Sequence, residues 1–337
     1  MGTGTRRVLG PAALFVTSSV MLLLGAPAAM AAGDGPVTQT PASTKTSGQV
    51  ITVSVWGNGS KAGSAGSGSG GGGRVDVSVP APCWMTAGFS GKEYFEWVDS
   101  GQMARDAYHA NESVTPYAGY EQYKDDAQGH WYGAMCTSAN WPNQDDIAGF
   151  NSFVLEFFAT HPSVYVPANE TPPRPPVPPA LLRDIALNNL RLPDPRLDWN
   201  PKLRGNQGTL VNLDTWFWLD SAPTTLRVHA AAGGNEASVI ATFGGMKITA
   251  PSEKPLNCDG PGTPYTAGAQ TNCALAFGRA STALGAEATP VTVTTKWTGT
   301  WAANGANQGP LPRQPDPVTA TADIRVDEVQ TLVTSSQ

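Results

Sequence analysis

The stretch VTVTTKWTGTW, residues 291–301, alternates without a break. Val291, Val293, Thr295, Trp297, Gly299 and Trp301 fall on one face. Thr292, Thr294, Lys296, Thr298 and Thr300 fall on the other. A period of two with one polar face marks a half-buried strand, because successive side chains leave opposite sides of a pleated sheet. VTATADIRV (318–326) repeats the pattern, with Val318, Ala320, Ala322, Ile324 and Val326 on one side. Asp327-Glu328 then breaks the phase, which predicts a bulge. Shorter alternating runs occupy 225–230, 237–243 and 246–250. Strands at this density, separated by Gly/Pro turns, predict an antiparallel β-sandwich over 208–337.

The rest of the chain sets the compartment. Arg6 and Arg7 precede an apolar stretch from Val8 to Leu24, and Ala29-Met30-Ala31 offers an A-x-A site. Residues 1–32 therefore read as a signal peptide cleaved near Ala31 or Ala32, with an uncleaved anchor as the alternative. TRRVLG leaves the general secretory and twin-arginine routes both open. No Cys follows the apolar stretch to carry a lipid, and no later run approaches the roughly 20 apolar residues of a membrane span. The expected location is extracellular or at the cell surface. Charged residues are 14% of the chain, well below the roughly 25% of an average soluble protein. The formal net charge is −6 without a block of Lys or Arg, so the electrostatic footprint of a nucleic-acid binder is missing.

Four cysteines in an exported chain predict two disulfides, with three pairings open. Locality favours Cys83–Cys136 and Cys258–Cys273. No CxxC exists, and His109, His130, His161 and His229 are scattered without ligand spacing, so no metal or other cofactor is expected.

Residues 33–73 read as a disordered Thr/Ser/Gly-rich segment with a short strand, ITVSV (51–55). VDVSV (75–79) nearly repeats that strand, and the pair suggests a hairpin around a Gly-rich linker. The linker lacks the G-x-x-x-x-G-K-[ST] order, so no nucleotide is expected there. Residues 74–167 read as a small α+β domain stapled by one disulfide. Within it Ser90 and Glu93 form a capping box opening a helix with Tyr94, Trp97 and Val98 on one face. The row Glu93, Glu96 and Asp99 reads as a solvated face. HWYGAMC (130–136) and SFVLEFF (152–158) read as strands. Residues 168–207 read as a linker: TPPRPPVPP (171–179) as a stiff spacer, then a short helix with Leu181, Leu182, Ile185 and Asn189 on one face, ended by RLPDPRLDWNP.

Taken together, LVNLDTWFWLD (210–220), NCDGPGTPY (257–265), Cys273, VTVTTKWTGTW and ADIRVDEVQTL (322–332) give the chain a likeness. It resembles a group of uncharacterised secreted actinobacterial proteins with a C-terminal PKD-like, immunoglobulin-type sandwich. The likeness is strongest from Pro178 to Val333. It departs before Cys258, where ITAPSEKPLNC (248–258) stands in place of the W-x-M-G-D-G-like turn. The resemblance implies a fold and a compartment; it implies no activity.

NLDTWFWLD (212–220) holds the candidate site. As a strand it turns Leu213, Thr215, Phe217 and Leu219 to the core, and Asp214, Trp216, Trp218 and Asp220 the other way. Two readings of the Trp face stand side by side. In one, Trp216 and Trp218 are buried packing, covered by Leu181, Leu182, Ile185 and Trp199, since two exposed indoles make an apolar patch that is rare without a partner. In the other they form an aromatic ledge beside carboxylates, able to stack on glycan rings.

Catalysis has weaker footing. Asp125-Asp126 and Asp145-Asp146 flank His130, and paired carboxylates are what glycoside hydrolysis uses, but adjacent Asp in polar loops usually serve turns. GSGSG (66–70) matches a nucleophile elbow but lies in the linker, which cannot hold a rigid triad. Sequons at Asn58, Asn111 and Asn169 matter only where eukaryotic-type glycosylation operates. The leading expectation is a secreted non-catalytic cell-envelope or extracellular interaction module with a protein partner. The alternative is a glycan- or cell-wall-binding protein using Trp216 and Trp218, and the third reading is a glycoside hydrolase.

Overall fold

The computed structural model describes residues 48–57, 74–110, 113–203 and 208–329. The expected signal peptide (1–32), the stretch 33–47, residues 58–73 with GSGSG, and the sequons at Asn58 and Asn111 lie outside the described residues.

The described chain opens with β1 (Val50–Gly57) and β2 (Val75–Pro80). A small unit follows: β3 (Cys83–Ser90), α1 (Gly91–Asp99), α2 (Gln102–Ala110), β4 (His130–Cys136), α3 (Ile147–Thr160) and β5 (Val164–Val166). Next come α4 (Pro179–Asn188), β6 (Leu197–Asn200), β7 (Thr209–Leu210) and β8 (Asp214–Leu219). The long strands β9 (Thr225–Ala232) and β10 (Asn235–Thr249) precede β11 (Leu256–Cys258) and β12 (Ala274–Ala276). The chain closes with β13 (Thr289–Ala303), β14 (Ala306–Pro310), β15 (Val318–Ile324) and β16 (Val326–Asp327).

The protein is mainly β, built on antiparallel sheets. The largest has eight strands: β14-β13-β10-β9-β1-β2 in order, with β11 added to β10 and β15 to β13. A three-stranded sheet has the order β12-β8-β6, another β3-β4-β5, and β16 pairs β7 in parallel. β13 buries Val291, Val293, Thr295, Trp297 and Gly299 and turns its threonines and Lys296 outward. Gly299 stands on the inner face because a Cβ there would run into Leu311, itself buried, and lie 3.2 Å from Pro315.

The long strands serve two cores. Ala237, Val239, Ala241 and Trp297 join Ile51, Val53, Val228 and α4 in one. Met246, Ile248, Val291, Val293 and Ile324 join Phe217 and Leu219 of β8 in the other. The register of β10 on β13 shifts between Phe243 and Met246, and Phe243 touches both cores. A bulge bends and twists its strand, which lets one ribbon face two partners. Gly245 permits the bend, with φ +116° and a Cβ position only 2.6 Å from the Cys258 carbonyl oxygen.

Several expectations are corrected. SFVLEFF is part of helix α3, not a strand. A seven-residue apolar run is ambiguous by period alone. The deciding group lies upstream, where the Asp146 carboxylate accepts from Gly149 N at 2.9 Å and caps a helix. Nor is TPPRPPVPP (171–179) a free spacer. Pro175 and Val177 are buried, Gln49 Nε2 donates to the Pro175 carbonyl at 2.8 Å, and Asn235 Nδ2 donates to that of Val177 at 3.1 Å. Leu181, Leu182, Ile185 and Ala186 of α4 lie in the first core, and LDWN within the helix-ending segment is strand β6. β1 and β2 do form a hairpin, and β1 also pairs β9, so both belong to the large sheet; the small unit's own sheet starts at Cys83. The phase break expected at Asp327 is a change of partner instead. β15 leaves β13 after Ile324, and Val326–Asp327 pairs β7. Leu213 is 41% exposed, since Asn212 at φ 60° turns the chain just before β8.

Candidate functional site

β8 presents the two tryptophans. Thr215, Phe217 and Leu219 are buried on its inner side, while Trp216 and Trp218 on the other side are half-buried. The expected cover is absent. α4 packs on β9 and β10, and neither indole belongs to or packs against any of the core clusters of buried side chains among the described residues. β6 and its neighbours flank β8 edge to edge instead of roofing it. Asp198 stands opposite Trp218, and Asn200 opposite Trp216. On the far side Ala274 faces Trp216 and Ala276 faces Asp214. Cross-strand partners share a face of the sheet. The outer face is therefore Asp198, Asn200, Asp214, Trp216 and Trp218, with small alanines along one border. Trp199 faces inward opposite Phe217, into the second core.

The 258–273 loop completes the face. It is closed by the Cys258–Cys273 disulfide and docks on β8 through Phe217 N donating to Cys273 O at 2.8 Å and Leu219 N to Pro261 O at 2.7 Å. Gly262, at φ +77°, lies so close to β8 that a Cβ would sit 2.7 Å from the Trp218 Cα. The loop brings Tyr265, 47% exposed, edge-on to Trp216 with centroids 5.2 Å apart. Lys202 pairs with Asp198 at 2.5 Å and lies 4.6 Å over the Trp199 ring, holding that carboxylate at the rim. Alternate residues of a strand are about 6.6 Å apart, so the two indoles and the tyrosine form a row beside polar groups that accept or donate hydrogen bonds. Aromatic groups placed beside such polar groups can pack against the apolar face of a sugar ring. Removing the disulfide as Cys258→Ser with Cys273→Ser is expected to lower stability by about 3 kcal/mol for a loop of this length, read by urea denaturation.

Sequence reading found Trp216, Trp218 and Asp214. It missed Asp198, Asn200 and Tyr265, which strand pairing and the disulfide loop bring in. The one available signal was LDWN, whose alternation mirrors that of β8.

The other candidate groups serve the fold. Cys83 and Cys136 are disulfide-bonded partners across β3 and β4, Cα atoms 4.1 Å apart. Ser90 and Glu93 make the capping box, with Glu93 N donating to Ser90 Oγ at 3.2 Å and Ser90 N to Glu93 Oε2 at 2.8 Å. Asp146 is the α3 cap. Asp126 accepts from Gln128 N and Gly129 N on one oxygen and from the Tyr165 hydroxyl, at 2.5 Å, on the other. The Tyr165 hydroxyl and then these two amides hold the Asp126 carboxyl below its ordinary range. Burial, and then the same hydrogen bond, raise the Tyr165 phenol well above its own. A depressed carboxyl contributes stability above the unfolded aspartate pKa of about 3.9 and loses it as pH falls through the folded value. Tyr165→Phe is therefore expected to move the Asp126 carboxyl up toward its ordinary range, followed by carboxyl NMR. Among the described residues, no group of three or more His, Cys, Asp or Glu gathers as a metal site, and no helix is long and apolar enough to cross a membrane. Asn169 sits exposed in a turn.

Compared with family models, curated proteins and solved structures, the chain matches none of them.

Proposed function

We propose that the chain is a secreted, non-catalytic binding protein of the cell envelope or extracellular space, and that its Trp216/Trp218 face binds a glycan. The observation that carries this reading is the half-buried pair of indoles lying outside the packed cores, next to Tyr265 and bordered by Asp198, Asn200 and Asp214. Aromatic side chains left partly open beside convergent polar groups are a common lining of ligand sites. The resemblance to secreted actinobacterial proteins with a PKD-like, immunoglobulin-type sandwich belongs to the same proposal. It is supported by β8 packing its inner side on β10 and β13 through Phe217, Ile248 and Val293. Retention on insoluble chitin and on purified cell wall tests the reading, with soluble oligosaccharide from the same polymer as competitor. Specific, competed retention is expected; passage through both matrices contradicts it. A second reading, binding of a protein partner, rests on α3, which leaves Ile147 64% and Leu155 67% exposed on an otherwise apolar helix.

A further inference from the structure

We propose that the outer face of the large sheet, beside β1 and β9, carries a second binding site, one for the carboxylate of an acidic sugar. This site lies on a different sheet from the tryptophan row and goes beyond it. A cavity of about 510 Å³ is lined there by Trp56, Arg74, Thr225, Arg227, His229 and Ser238, within the size range of small-ligand pockets. Strand register gathers these groups from distant parts of the chain. Trp56 on β1 stands opposite Arg227 on β9, and Ser238 on β10 stands opposite His229.

The charges in this cavity are unevenly satisfied. Arg74 donates through Nε to Asp76 at 2.7 Å and lies with its guanidinium carbon 5.4 Å from the Trp56 ring centroid. Its position is fixed from two sides, because Asp76 also accepts from Ser54 at 2.5 Å. His229 is engaged with Glu236, Nε2 to Oε2 at 3.1 Å, and meets Trp56 edge-on at 6.1 Å. Arg227 is exposed, and among the described residues no acceptor pairs with it. Asp76 is paired with Arg74 and Glu236 is hydrogen-bonded to His229, while Arg227 makes no ion pair among the described residues, so its guanidinium is the cationic group in the cavity open to an incoming carboxylate.

A guanidinium with its fork free matches a planar carboxylate, which it can hold by two parallel hydrogen bonds. Thr225 and Ser238 hydroxyls donate and accept, which suits the ring hydroxyls of a sugar, and Trp56 supplies an apolar wall. These features together point to a uronic-acid-type residue.

Isothermal titration of the full chain with trigalacturonate and with its fully methyl-esterified form tests the assignment, since the two differ only in the carboxylates. The acid is expected to bind and the ester to bind about ten-fold more weakly or worse, the loss of one charge-assisted hydrogen bond. Arg227→Gln is expected to weaken the acid by a similar factor, and Arg227→Lys, which keeps the charge and loses the fork, by less. Soluble chitin oligosaccharide, which carries no carboxylate, should not displace trigalacturonate, which separates this site from the tryptophan row; displacement would place the acid on that row and overturn the proposal. Equal binding of acid and ester, no binding of the acid, or an Arg227→Gln protein that binds like wild type overturns the proposal. So does preferential binding of a triglycine peptide carboxylate over the sugar.

Discussion

Replacing Trp297 with alanine lowers the free energy of unfolding by about 3–5 kcal/mol, the usual range for truncating a buried tryptophan. Trp297 is 4% exposed on the inner face of β13, in the first core. Its ring meets Phe243 edge-on, with centroids 5.3 Å apart, a geometry that adds to plain burial. Phe243 is the side chain that touches both cores at the β10 bulge, so the cavity left by alanine opens where the large sheet changes partners. Trp297→Phe provides the control. The Trp297 indole nitrogen is buried without a hydrogen-bond partner among the described residues, so phenylalanine keeps an aromatic ring and removes an unsatisfied donor. The phenylalanine variant is expected to lose much less than the alanine one in urea denaturation. Equal losses from both variants would show that indole shape, not aromatic burial, sets the value.

Leu182→Ala costs about 2–5 kcal/mol, although Leu182 lies in a segment that sequence alone reads as a linker. It is fully buried in α4, among Ile51, Val228 and Val239 of the large sheet. Trp141 and Phe153 of the small unit pack against the same cluster. Asn188 Nδ2, at the end of α4, also donates to the Pro142 carbonyl. α4 is thus the shared element between the large sheet and the small unit. A linker helix would tolerate the change within about 0.5 kcal/mol, and a loss that small would contradict the packing described for α4.

The residues explain which parts of this fold were legible. The β13 pattern states its own burial, because Thr292 to Thr300 on one face and Val291 to Trp297 on the other leave no second way to place the strand. Ser90 and Glu93 announced α1 by the chemistry of the cap itself. Period failed where it was short or missing. SFVLEFF carries too few polar residues to tell helix from strand, and only the Asp146 cap six residues before Ser152 separates them. α4 reads as amphipathic from sequence, but which sheet receives its apolar face is a tertiary fact. The same holds for the tryptophans. Alternation placed Trp216 and Trp218 on the face away from Phe217, yet the Leu181/Leu182 cover suggested by proximity in sequence went to another sheet. Asp198, Asn200 and Tyr265 came to the face through strand pairing and a disulfide loop, and neither is written in the local sequence.

The central claim is that Trp216 and Trp218 form a binding face and not internal packing. The most direct measurement takes Trp216→Ala with Trp218→Ala and reads retention on purified cell wall and urea-denaturation stability on the same sample. Retention is expected to be abolished while stability falls by less than the roughly 3–5 kcal/mol of even one buried aromatic. Unchanged retention together with a stability loss of that size or more would contradict it.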